Sequence, residues 1–162
     1  LYNVPGRTAC DLLPETVIRL AKVKNIVGIK EATADISRVA KILAGVSPDF
    51  DLYTGDDATA VDFILAGGHG SISVTANVAP KQLHDVYAAA LAGDEVKAKE
   101  LDAPLRAIHR DIFVESNPIP VKWAVAEMGL IGGAIRLPMT PLSESCKPIV
   151  RKALIEAGIA LK

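Results

Sequence analysis

The chain has 162 residues, 50% of them hydrophobic and 23% charged, a composition that belongs to folded domains and excludes a disordered polypeptide. A formal charge of -1, with no lysine or arginine cluster interleaved with aromatics, excludes the usual nucleic-acid-binding surface. Two cysteines, Cys10 and Cys146, show neither CxxC nor Cys/His spacing, so the sequence encodes no zinc motif or disulfide framework and predicts reduced thiols in the cytoplasm.

The first residues, Leu1-Tyr2-Asn3, read as the tail of a strand, and Val4-Pro5-Gly6 as the turn after it. A start inside a strand predicts a cut end and not a natural N-terminus. No secretory segment opens the chain, and no apolar run is long enough to span a bilayer. A helix is predicted over 11–24, with Pro14 in its first turn and Leu13, Val17, Leu20 and Ala21 on one face. Residues 25–30 (NIVGIK) form a short, nearly continuous apolar strand. A helix from about Asp35 follows, placing Ile36, Val39, Ala40 and Leu43 inward.

Residues 50–53 (FDLY) are the next strand, closed by Thr54-Gly55-Asp56-Asp57, where either aspartate can cap the following helix. That helix turns Val61, Ile64 and Leu65 inward and stops at Gly67-Gly68. Residues 70–74 (GSISV) are a strand and 75–77 a loop. A helix over 80–92 then carries Leu83, Val86, Tyr87, Ala90 and Leu91 on one side, and Gly93 ends it. Strands alternating with helices at this spacing predict a parallel sheet, and the apolar strands predict burial on both faces. Beyond Gly93 the pattern is helical throughout. A helix over 95–113 is kinked at Pro104, another runs over 121–128, and a last one is capped by Ser143 and stopped by Gly158. The chain is therefore divided into a β/α part, 1–93, and a helical part, 94–162.

Lys30 ends an otherwise apolar strand. The carboxyl ends of parallel strands are where such folds build sites, and an amine among apolar neighbours is available to attack a carbonyl. Taken alone, the commoner reading is a lysine that snorkels to solvent or pairs with Glu31. Tyr2 stands at the same mouth one strand earlier. Its phenol can relay protons, or it is simply a rim tyrosine with a packed ring. Arg7 suits a carboxylate, because its fork matches both oxygens, and equally suits a surface salt bridge. Gly55, Asp56 and Asp57 also fall at a strand end, where an N-cap is the plainer role, and Ile72 lines the last strand. His69, His84 and His109 have no metal-ligand partner at suitable spacing and read as structural or surface residues.

Several stretches together resemble the dihydrodipicolinate synthase family, the class I pyruvate aldolases that include N-acetylneuraminate lyase. They are Tyr2-Asn-Val-Pro-Gly-Arg7-Thr8, Gly28-Ile-Lys30-Glu-Ala32, Thr54-Gly-Asp-Asp57, residues 67–77 (GGHGSISVTAN) and residues 117–122 (NPIPVK). The resemblance covers essentially the whole chain. It implies the C-terminal part of a (β/α)8 barrel, from the end of strand 5 through helix 8, followed by a helical domain. In it, Lys30 forms a Schiff base with pyruvate, Tyr2 shuttles protons, and Arg7 binds the carboxylate of aspartate semialdehyde. The backbone at Ile72 lies beside pyruvate, and Gly55, Asp56 and Asp57 lie near the second substrate. No organic cofactor or metal is implied.

Arg7-Thr8 resembles the branch that condenses pyruvate with aspartate semialdehyde on the route to lysine and diaminopimelate, because sialic-acid lyases carry small or apolar residues there. The family is usually a homotetramer built as a dimer of dimers. A barrel needs eight strands, so the resemblance also implies a missing N-terminal half. That half would carry the pyruvate-carboxylate loop and the rest of the proton relay, so the isolated chain is expected to be inactive. Two other readings stay open: another pyruvate aldolase of the family, and a non-catalytic half-barrel that serves as an interaction module.

Overall fold

A computed structural model describes residues 1–162. In chain order the elements are β1 (Tyr2–Asn3), α1 (Pro5–Thr8), α2 (Pro14–Leu20), β2 (Gly28–Glu31), α3 (Ser37–Leu43), β3 (Asp51–Thr54), α4 (Ala60–Leu65) and β4 (Gly70–Ser71). A 3-10 turn (Thr75–Asn77), α5 (Pro80–Leu91) and α6 (Glu95–Asp102) come next. A second 3-10 turn (Ala103–Leu105), α7 (Arg106–Asp111), α8 (Ile119–Glu127) and α9 (Lys147–Glu156) complete the chain. The four strands are parallel and lie side by side in sequence order, as strand–helix alternation requires. The chain folds as two compact units, residues 1–73 with 87–98, and residues 74–86 with 99–162.

In the first unit, alternate strand residues point to opposite faces. Ile29 and Leu52 are 1% and 0% exposed and join Val17, Val39, Ile42, Phe50 and Phe63 in one apolar cluster. Burying side chains of this size stabilises by about 1.5–3 kcal/mol each. The other face carries Lys30 and Tyr53, half-buried, and Tyr2, exposed. A second apolar cluster, expected from a sheet buried on both faces, is replaced on this face by these polar and aromatic side chains.

Other boundaries move for local reasons. The helix predicted from Asp11 begins at Pro14. Leu12 cannot join it, because its N–H donates to Asn3 Oδ1 at 2.9 Å and its carbonyl accepts from Arg38 at 2.6 Å. Val27, predicted inside the strand, is 66% exposed and precedes β2. The strand predicted to reach Val74 stops at Ser71, since Val74 has helical angles and opens the 3-10 turn. Ala40 and Leu91 are exposed and not inward.

In the second unit, Leu105, Ile108 and Ile112 are buried together with Val150, Ala153 and Leu154 of α9, and α7 packs against α9. Pro104 breaks the long predicted helix into α6 and α7 through a 3-10 turn. Ser143 does not cap α9. Cys146 holds that position, Pro148 lies in the first turn, and the Ser143 carbonyl accepts from the Cys146 and Lys147 N–H groups. His109 is buried and structural. Its Nε2 donates to Asp102 Oδ1 at 3.1 Å, and its Nδ1 shares a hydrogen bond with the Thr75 hydroxyl at 2.9 Å.

Candidate active site

The register of the sheet sets a row of side chains. Tyr2 of β1 lies beside Lys30 of β2, Lys30 beside Tyr53 of β3, and Tyr53 beside Gly70 of β4. Tyr2, Lys30 and Tyr53 therefore project from one face, at the strands' carboxyl ends, and Gly70 leaves the place beside Tyr53 open. The Lys30 ammonium stands over the Tyr2 ring, 4.5 Å from its centroid. An amine and a phenol so close supply a nucleophile and a proton carrier within one small region.

Gly55 adjoins the same lysine. A Cβ at that position would lie 2.7 Å from Lys30 Cε and 2.8 Å from Ala32 Cβ, closer than carbon atoms approach. The end of β3 can run beside the lysine only because residue 55 has no side chain. Asp56 is engaged in the turn into α4, where its Oδ2 accepts from the Thr59 N–H at 3.0 Å and from the Thr59 hydroxyl at 2.7 Å. Asp57 is buried, 2% exposed. Arg7 is an exposed residue of α1, just beyond the carboxyl end of β1. Ile72 is 50% exposed, and its N–H donates to the Thr54 carbonyl at 2.9 Å. The geometry thus brings together Tyr2, Lys30 and Gly55. It sets Asp56 and Asp57 in a turn, with Arg7 and Ile72 on segments that follow strand ends.

Behind Tyr2 and Lys30, on the helix-facing side, lies a polar cluster that sequence reasoning missed. Asn3 and Glu31, each next in sequence to a site residue, are both 2% exposed. Asn3 Nδ2 donates to the Glu31 carboxylate at 3.1 and 3.2 Å and to Asp11 at 2.9 Å. Arg38 Nε donates to Glu31 at 2.9 Å, and its terminal nitrogens reach Asp11 at 3.1 Å and the Leu12 carbonyl at 2.6 Å. The hydrogen bond from Asn3 holds the Asp11 carboxyl below its ordinary range. Burial works against the Arg38 charge, but the Glu31 and Asp11 carboxylates more than offset it, so the guanidinium is held above its usual value. Period-two alternation was the available signal. If Lys30 faces one way, Glu31 must face the core, where a carboxylate requires partners. Tyr53 was missed as a neighbour of Lys30 for the same reason.

Fold and site define an α/β protein with its polar side chains gathered at the carboxyl ends of parallel strands, where proteins of this class bind and process ligands. The chain belongs to the dihydrodipicolinate synthetase family, whose model matches residues 1–157. A 4-hydroxy-tetrahydrodipicolinate synthase of Alcanivorax borkumensis is 62% identical over 159 residues, covering 98% of this chain and 54% of that relative. The enzyme of the same name from Pseudomonas syringae is 58% identical over 159 residues, with the same two shares of 98% and 54%. Among solved structures, the chloride-inhibited dihydrodipicolinate synthase of Acinetobacter baumannii, complexed with pyruvate, superposes with a TM-score of 0.95. It is 51% identical, and the match covers 99% of this chain and 55% of that one. The chain thus spans about half the length of the curated relatives it matches.

Proposed function

We propose that the protein carrying this chain is a 4-hydroxy-tetrahydrodipicolinate synthase, a lyase of lysine and diaminopimelate biosynthesis, and that this chain bears its Schiff-base lysine. The observation that carries the reading is Lys30 Nζ held 4.5 Å from the centre of the Tyr2 ring at the carboxyl ends of adjacent strands. In this reading residues 1–93 are the last part of a (β/α)8 barrel and 94–162 a helical domain. No organic cofactor takes part.

The Lys30 amine attacks the keto carbon of pyruvate, and the carbinolamine loses water to give an imine. Loss of a methyl proton converts the imine to an enamine, whose terminal carbon forms a bond to the aldehyde carbon of aspartate semialdehyde. The aldehyde oxygen takes up a proton. The amine of the condensed product then attacks the imine carbon, closing the ring and releasing the free lysine. Tyr2 moves the protons of these steps. Arg7 pairs with the carboxylate of the semialdehyde, Gly55, Asp56 and Asp57 border that substrate, and the Ile72 backbone lies against the pyruvate end. The protein works as a cytoplasmic homo-oligomer, a dimer of dimers. No helix is long and apolar enough to cross a membrane.

The test is covalent trapping. Pyruvate and borohydride added to the intact protein should leave a reduced adduct on Lys30, located by mass spectrometry of the peptides. An unmodified Lys30 under these conditions overturns the reading. The alternative, a pyruvate aldolase with a sugar-derived acceptor, is separated by comparing aspartate semialdehyde with N-acetylmannosamine. Arg7, a cation suited to an acceptor carboxylate, favours the semialdehyde.

A further inference from the structure

We propose that Asn3, Glu31 and Arg38 are positioning residues, whose buried hydrogen-bond lattice on one side of β1 and β2 sets the separation of Tyr2 and Lys30 on the other. The inference rests on the reading of Lys30 as nucleophile and Tyr2 as proton carrier. The Lys30 N–H to Leu1 carbonyl bond (3.0 Å) and the Ala32 N–H to Asn3 carbonyl bond (2.9 Å) flank the Tyr2–Lys30 pair. Asn3 and Glu31 form the next row of the same register and face the other way.

The side-chain ties on that row are demanding. The Asn3 amide touches both oxygens of the Glu31 carboxylate, and Arg38 of α3 holds one of those oxygens from the helix side. If β1 shifted along β2, the buried Glu31 carboxylate would keep Arg38 and the Thr33 N–H but lose Asn3, the one donor that ties it to β1, at a cost typical of a buried hydrogen bond to a charged group. Arg38 and Asn3 also grip Asp11 and Leu12, so the lead-in to α2, the helix α3 and both strands meet at one point. Proton transfer requires heavy atoms within hydrogen-bond reach, and a misplacement of about 1 Å costs about 100-fold in rate. A lattice that locks β1 to β2 therefore acts on the chemistry through Tyr2, without touching substrate.

A merely structural role would lower stability but would not depend on the Tyr2 hydroxyl, and a double-mutant cycle on turnover of the intact protein separates the two. With pyruvate and aspartate semialdehyde as substrates, Asn3→Ala should lower kcat about 10- to 100-fold, with KM for pyruvate changed less than about threefold. In a Tyr2→Phe background the same substitution should lower kcat by less than about threefold, because the group it positions is already gone. Glu31→Gln keeps shape and volume and should repeat the pattern with smaller factors, which preserves the test if Asn3→Ala does not fold. Equal factors in both backgrounds, or full turnover in folded Asn3→Ala or Glu31→Gln, overturn the positioning role. If Tyr2→Phe alone keeps full turnover, or borohydride leaves Lys30 unmodified, the functional reading falls and this inference with it.

Discussion

At the scale of single residues, Lys30 is defined by what surrounds it. The Tyr2 ring lies on one side and the backbone of Gly55 on the other, so two neighbours set where the amine can go. Gly55→Ala is expected to drive Lys30 and Ala32 apart from their present places. The rate of borohydride trapping with pyruvate should fall at least about tenfold while the melting temperature changes little, since displacing a reacting group costs rate steeply. An unchanged trapping rate would show that the lysine relaxes around the methyl group. Arg7 makes a separate prediction, because an exposed guanidinium contributes binding and not chemistry. Arg7→Ala should raise KM for aspartate semialdehyde about 10- to 100-fold and leave KM for pyruvate unaltered. Steady-state kinetics with each substrate varied in turn will check it.

At the scale of elements, the polar cluster joins β1, β2 and α3 through directed hydrogen bonds. Arg38 is 6% exposed and is the cation that compensates Glu31. Arg38→Met would leave that carboxylate buried without its charge partner and should cost roughly 3–5 kcal/mol, measured by urea unfolding. By contrast, Leu52→Ala removes only apolar contacts at a fully buried site and should cost about 2–5 kcal/mol through transfer and cavity terms.

At the scale of the whole molecule, four carboxyl groups are held below their ordinary range by hydrogen bonds. Asp11 is held by Asn3, Asp35 by Ser37, Asp85 by Lys81 and Glu115 by Ser143. For groups depressed on folding, the unfolded chain binds protons first as pH falls. Their stabilisation is therefore complete above the unfolded carboxylate values of about 4 and is lost as pH drops through the lower folded values. The urea midpoint should stay level as pH falls from 7 towards about 5 and decline steadily below about 4. A Ser37→Ala, Asn3→Ala double variant should show a shallower acid decline, and an unchanged slope would refute the assignment.

The residue pattern by itself determined the alternation of strands and helices, the parallel sheet that follows from it, Pro104 as the point where the helix after Gly93 is disturbed, and the resemblance to a family that the comparisons bear out. These are legible because local periodicity and turn chemistry are carried by neighbouring residues. The same local view gave Lys30 as the end of an apolar strand and offered Glu31 as its ion-pair partner, whereas Glu31 bonds Asn3 and Arg38 on the opposite face. Only the tertiary structure decided that Lys30 faces Tyr2 and Gly55, that Glu31 faces Asn3 and Arg38, that Ser143 is not the cap of α9, and that His109 is tied to Thr75 and Asp102. The reason is physical. Asn3 with Glu31 and Thr75 with His109 join residues 28 and 34 positions apart in the chain, and the nearer pairs, Glu31 with Arg38 and His109 with Asp102, each bridge two different elements seven positions apart. Strand register and helix packing choose those partners, and no local pattern records the choice.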